Sequence, residues 1–220
     1  MRYRSVIFDL DGTLLDTLDD LGAAVNYALQ KRGMPLHTRE EYATMVGGGV
    51  RKLVERAIEA GGVVDECLSD FMGYYTTHID VFTHPYPGIV ELLTELQDHG
   101  ISLAIASNKF QEGADYLANK MFPGIRFTAV LGERPGAPLK PDPAIVGEVL
   151  RLSGIPREQT VFVGDSPTDM ATARNGDVDP IAVTWGYGAP VAEMVADSVA
   201  DLRASLGRHD KRSGCRLWSK

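Results

Sequence analysis

Cysteine is nearly missing from this chain: Cys67 and Cys215 are the only two in 220 residues. They stand far apart, with none of the short spacings that hold a metal. Neither a disulfide framework nor a zinc site is expected, and both read as reduced thiols. Basic charge is also scarce. The 22 Lys and Arg face 30 Asp and Glu, a formal net charge of −8. That balance argues against a nucleic-acid binder, whose contact face is normally basic. It leaves an anionic substrate possible, because a metal and a few local cations can invert the field of one pocket. No apolar run approaches the ~18 residues of a membrane span. Met1-Arg2-Tyr3-Arg4 leads straight into a strand-like segment with no secretory signal. The expectation is a cytoplasmic protein, monomer or homodimer, with no membrane or nucleic-acid partner.

What is present has the length for one substantial core with a smaller inserted unit. After the apolar stretch Val6-Ile7-Phe8, the block 16–85 is helical in pattern and contains no convincing strand. Leu18, Leu21, Val25, Ala28 and Leu29 recur at helical spacing behind Asp16 or Thr17 as N-cap. Thr38-x-x-Glu41 has the form of a capping box opening a second helix. Gly47-Gly48-Gly49 precedes a third, with Val50, Leu53, Val54, Ala57 and Ile58 on one face, and a further helix covers roughly 65–80. From Pro85 onward helices and strands alternate, the rhythm of a parallel sheet. Strands are expected at 101–106, 127–131, 160–163 and 180–184, and helices at 88–99, 111–120, 143–153 and 167–175. The expected fold class is α/β: a Rossmann-like, doubly wound parallel sheet formed by 1–15 and 86–207, interrupted by a helical unit at 16–85. The segment 208–220 carries five Lys/Arg against one Asp and reads as a flexible basic tail.

Four polar clusters follow predicted strands. They are Asp9-Leu10-Asp11-Gly12-Thr13, Ser107-Asn108, Lys140-Pro141 and Gly164-Asp165-Ser166-Pro167-Thr168-Asp169. In a parallel sheet all these strand ends share one edge, where ligands bind. Asp9, Asp11 and Asp165, with no His or Cys companion, suit Mg2+ rather than zinc. Ser107 and Asn108 offer donors for an anion, and Lys140 a compact positive charge. Together they describe a phosphoryl-transfer pocket. Singly they are weaker: an Asp-x-Asp is commonly a solvated turn, Ser107-Asn108 a helix cap, and Ser166-Pro167 with Asp169 a capping box.

The four motifs, in order and spacing, resemble those of the haloacid dehalogenase superfamily. The resemblance implies a core with a C1-type helical cap inserted after the first motif. It implies Asp9 as nucleophile, forming an aspartyl-phosphate, and Asp11 as the acid and base that protonates the leaving oxygen and then activates water. Ser107, Asn108, Lys140 and Thr13 would contact the phosphoryl group. Mg2+ would sit on Asp9, Asp165 and the backbone carbonyl of Asp11, with Asp169 orienting Lys140 or a metal-bound water. The dehalogenases proper lack the second acid, so Asp11 selects phosphoryl transfer to and from small phosphate esters. Ala24-Val25-Asn26 and Val46 to Ala57 resemble the cap of phosphoglycolate phosphatases, which implies 2-phosphoglycolate as substrate, Gly48 at the site, and Arg51 meeting a substrate carboxylate through a bidentate pair. As local sequence, Arg51 equally fits an exposed helix start and the three glycines a plain turn. A pyrophosphatase, a broad sugar-phosphate phosphatase and a hexose-phosphate mutase use the same motifs. A non-catalytic binding protein would be expected to have lost some of Asp9, Asp11, Lys140 and Asp165.

Overall fold

Val6, Ile7 and Phe8 are apolar on both sides of their strand, and a strand of that kind is stable only with both faces covered. The computed structural model, which describes residues 3–58 and 63–207, buries every residue of β1 (Ser5–Phe8) at the centre of a six-stranded sheet. The other strands are β4 (Ser102–Phe110), β5 (Phe127–Glu133), β6 (Thr160–Gly164), β7 (Asp179–Val183) and β8 (Met194–Ala196). Their order is β5-β4-β1-β6-β7-β8, and all the pairings are parallel. The order turns in both directions from β1, so the topological switch point lies at its carboxyl end.

Alternate side chains serve opposite faces of the sheet. Ile7, Ala104, Ala106 and Phe162 pack with Ile145, Val146 and Val149 of α7 (Ala144–Ser153) and Ala173 of α8 (Pro167–Asn175). Val6, Phe8, Ile105 and Val163 lie in the other cluster, with α5 (Ile89–Asp98), α6 (Gln111–Met121) and α9 (Val199–Gly207). Each face is therefore a dry layer, and the polar residues that end the strands are left together at one edge.

Between β1 and α5 the described residues form four helices: α1 (Leu18–Gln30), α2 (Arg39–Met45), α3 (Val50–Ala57) and α4 (Val64–His78). Leu21, Val25, Leu53, Val54, Phe71 and Tyr75 are buried among them. The Thr38–Glu41 capping box forms as expected, with both reciprocal bonds present. Thr17 occupies the N-cap of α1 without a side-chain cap bond, while Asp16 Oδ1 accepts from Leu18 N at 3.3 Å. Asn26 braces the unit: it exchanges two bonds with the main chain of His37 and accepts the Tyr42 hydroxyl at 2.6 Å.

One expectation fails at the edges of this unit. Leu15–Asp16 (β2) and His84–Pro85 (β3) form a two-residue antiparallel ladder where the chain leaves and returns. So short a pair carries no alternation to be read in sequence. Asp20, buried, reinforces the junction by accepting from Thr83 N at 2.8 Å and Thr83 Oγ1 at 2.7 Å. The strand β8 and helix α9 were also not expected. Cys67 is a buried free thiol, whereas Cys215 and the basic segment 208–220 lie outside the described residues. Among the described residues no helix is long and apolar enough to cross a membrane.

Candidate active site

Asp9 leaves β1 at the switch point with its N–H still bonded to Val163 O at 2.9 Å, which fixes its direction. Lys140 reaches it from the loop before α7. The buried ammonium donates to Asp9 Oδ1 at 2.7 Å, to Asp169 Oδ1 at 2.6 Å and to Ala106 O at 2.9 Å, which occupies its three protons. Asp169 is held in turn by its role in the cap of α8: Oδ2 accepts from Ser166 N at 3.0 Å and Ser166 Oγ at 2.5 Å. The local capping box thus aims a carboxylate at a lysine 29 positions away.

Asp165 is fixed by the turn 185–188. Its Oδ2 accepts from Tyr187 N at 2.8 Å and Gly188 N at 3.2 Å, and Oδ1 from Thr13 Oγ1 at 3.1 Å. That approach needs glycine twice. A Cβ on Gly186 would stand 2.3 Å from Asp165 Oδ2 and from Gly12 O. Gly12 has φ +87°, and a Cβ there would come within 2.5 Å of the same carboxylate.

Asp9, Asp165 and Asp169 each offer an oxygen, all within 4.8 Å of one another. Burial, then the charge of Asp169, pushes the Asp9 carboxyl well above the usual carboxylate range against the pull of Lys140. Asp165 is pushed up for the same two reasons, against its backbone donors. Burial disfavours a charged Lys140, but Asp169 and Asp9 outweigh it and hold its pKa high. Three buried carboxylates facing one ammonium leave negative charge uncompensated, which is stable only with a further cation or with protons. An all-oxygen set of this kind fits a hard divalent metal.

These groups open into a cavity of about 530 Å3, within the range of small-molecule sites. Its floor is Asp9, Asp11, Ser107, Asn108, Lys140 and Asp165; its roof is Gly47 to Val50, Lys52 and Arg56 of the helical unit. Residues 6–183 match the haloacid dehalogenase-like hydrolase family. The chain belongs to that family. It is 37% identical over 211 residues to a phosphoglycolate phosphatase of Pseudomonas savastanoi pv. phaseolicola, covering 90% of this chain and 77% of the relative. It is 34% identical to a phosphoglycolate phosphatase of Mesorhizobium japonicum, covering 83% of each. A crystal structure from Lactobacillus delbrueckii subsp. bulgaricus, provisionally assigned as a phosphoglycolate phosphatase, superposes with a TM-score of 0.88 at 34% identity, covering 94% of this chain and all of that one.

This hydrolase brings Asp9, Asp11, Ser107, Asn108, Lys140, Asp165 and Gly48 to one cavity. Three expected roles change. Thr13 is fully buried behind Asp165, not among the lining residues, and its hydroxyl serves that carboxylate instead of substrate. The Asn108 side chain is held by the main chain of Lys140, donating to its carbonyl at 3.1 Å and accepting from its N–H at 2.8 Å. With one of its two amide protons it shapes the lysine loop, and Ser107, whose Oγ accepts from Lys109 N at 3.3 Å, keeps its hydroxyl proton to offer. Arg51, more than half exposed, turns to Asp65 at 2.6 Å and lies outside the central cavity. Burial of Val50, Leu53 and Val54 sets the phase of α3, and that phase puts Lys52 and Arg56 over the site instead.

Sequence reasoning missed Lys109. Its Nζ, 3.0 Å from Asp11 Oδ1, takes the Asp11 carboxylate away from the acidic triad, and it also donates to Tyr75 Oη at 2.7 Å. Burial opposes its charge, but Asp11 and Tyr75 outweigh burial and push its pKa up. Its position directly after Ser107-Asn108, within β4, marks it as a neighbour of the site but does not name its partner.

The raised carboxyls make a linkage prediction. Folded Asp9 and Asp165 hold protons that the unfolded chain has already released, so the cation-free protein loses stability as pH rises from the usual carboxylate range through the raised values. A divalent cation needs the ionised forms and stabilises by mass action, about 2.7 kcal/mol at a hundredfold excess over Kd. The rise in Tm on adding Mg2+ is therefore expected to be larger near about pH 8 than near about pH 5. Equal shifts in thermal melts at both values would count against the assignment.

Proposed function

We propose that this hydrolase is a Mg2+-dependent phosphomonoesterase acting on a small phosphate ester, 2-phosphoglycolate first among them, through an aspartyl-phosphate on Asp9. The observation that carries the reading is the Asp9 carboxylate, pinned at the switch point by Lys140 and facing a roofed cavity with a second carboxylic acid, Asp11, on its floor.

Asp9 attacks phosphorus while Asp11 gives a proton to the leaving oxygen. In the second half, Asp11 takes a proton from water as it attacks the phosphoryl group and releases Asp9. Lys140 holds the Asp9 carboxylate in line and offsets charge on the transferring oxygens, and the Ser107 hydroxyl is a further donor. Asp9, Asp165 and the Asp11 carbonyl would hold Mg2+, with Asp169 a further oxygen beside them; the ion supplies charge neutralisation at the phosphoryl oxygens. Turning Asp11 away from the triad keeps its proton chemistry separate from the cation ligands.

The roof supplies the argument for an acidic organic part. Lys52 and Arg56 line the cavity, and a carboxylate beyond the phosphate would meet them. The test is a phosphometabolite panel ranked by kcat/KM, with phosphate and alcohol product measured together. Equal release of phosphate and glycolate, with 2-phosphoglycolate preferred, supports the reading; an isomerised sugar phosphate as product would replace it with a mutase. Lys52→Ala is expected to raise KM about tenfold for an ester carrying a carboxylate, the worth of one charge-assisted bond, and to change it little for a neutral one.

A further inference from the structure

We propose that Lys109 is the positioning residue that aims Asp11 at the leaving oxygen, and that Tyr75 makes this aim depend on where the helical cap sits. The inference rests on the phosphatase reading and goes beyond it, because neither residue belongs to the motifs that identified the site.

The string is Tyr75–Lys109–Asp11. Lys109 Nζ lies 3.0 and 3.4 Å from the two oxygens of Asp11 and 2.7 Å from Tyr75 Oη. The same ammonium stands 4.9 Å from the centre of the Tyr75 ring. Lys109 and Tyr75 are both buried, and Tyr75 is wedged against Phe71 and Phe110. Tyr75 belongs to α4 of the cap, whereas Lys109 and Asp11 belong to the core. A lone aspartate turns about two side-chain bonds, but one whose oxygens both lie on a fixed ammonium does not.

The arrangement suits both protonation forms. As an acid, Asp11 keeps one oxygen on Lys109 and turns the proton of the other to the leaving oxygen while the phosphorus–oxygen bond breaks. As a carboxylate it returns to the bidentate pairing, from which it accepts the proton of the attacking water. Tyr75 is the cap's hold on this device: a cap displaced from the core takes away the third partner of the ammonium.

The leaving group separates positioning from mere support of the fold. Nitrophenolate departs without a proton, whereas an alkoxide needs one, and kcat/KM reports only through phosphoryl transfer to Asp9. Wild type, Lys109→Met and Tyr75→Phe are to be assayed with Mg2+ on nitrophenyl phosphate and on an alkyl phosphate, with thermal melts alongside. Lys109→Met is expected to lose on the order of 10²-fold more on the alkyl than on the aryl ester. Tyr75→Phe is expected to shift the same ratio in the same direction, by about fivefold. An unchanged ratio in the folded variants, with both esters slowed alike, overturns the inference. Should Lys109→Met fail to fold, the Tyr75→Phe ratio decides alone. Failure of the phosphatase reading looks different: wild type itself would then turn over neither ester.

Discussion

Asp9→Asn is expected to lower turnover by on the order of 10⁴-fold or more while leaving the fold intact. The amide keeps the shape of the carboxylate and can still accept from Lys140, so the local geometry survives. What it lacks is the negative charge that makes the carboxylate oxygen a nucleophile towards phosphorus. The replacement also removes one of three crowded negative charges. Because burial and Asp169 already disfavour an ionised Asp9, the variant is expected to melt at the wild-type temperature or above it without Mg2+. Two measurements check this together: steady-state hydrolysis of a generic aryl phosphate, and acid-quenched protein assayed for bound phosphate. Wild type should carry acid-stable phosphate during turnover and the variant none. Turnover above about a hundredth of wild type would remove Asp9 from the nucleophile's role.

The second large effect is expected at Lys140, and it falls on stability as well as rate. Lys140→Met keeps most of the volume but strips the shared partner from Asp9 and Asp169, which lie 2.7 and 2.6 Å from its ammonium. Removing one member of a buried ion pair costs about 3–5 kcal/mol, because the remaining charge stays buried and unpaired. Loss of a charge directed at the transferring phosphoryl group adds a fall in kcat on the order of 10³-fold. The sign of the pH response separates this from a packing defect. In the variant the carboxyls are relieved by taking up protons, so its deficit in Tm should shrink as pH falls towards about 5. Adding Asp9→Asn to Lys140→Met should return part of the stability, a coupling that double-mutant melts measure. A deficit that stays constant with pH and simply adds in the double variant would point to lost packing alone.

The parts legible in the sequence were those decided locally. The Thr38–Glu41 and Ser166–Asp169 boxes close within four residues, so their residue types and spacing suffice. The apolar run before Asp9 marked a central strand because only a doubly covered strand tolerates it. The site came into view because four such strands end at one edge. What escaped was decided by tertiary packing. Lys109 meets Asp11 across 98 positions, and nothing near either one announces the pair. Arg51 and Lys52 are neighbours in sequence, yet one helical step of about 100° sends one to Asp65 and the other over the cavity. The residue type of Asn108 suggests a donor to substrate, whereas its fixed partner is the main chain of a loop that arrives 32 positions later.

The two walls of the cavity differ in how much sequence change they tolerate. Behind Asp165 a single methyl group at Gly186 would collide with a carboxylate and a main-chain carbonyl at once, and one at Gly12 with the same carboxylate, so these positions of the floor admit no side chain. Across the opening, Lys52 and Arg56 project from an exposed helical stripe whose neighbours Arg51 and Glu55 make only surface ion pairs. Selection on such a molecule can wander across substrates by editing one side of a room whose other side is cast in place. A library confined to the exposed positions of α3 should therefore yield altered preference far more often than lost chemistry.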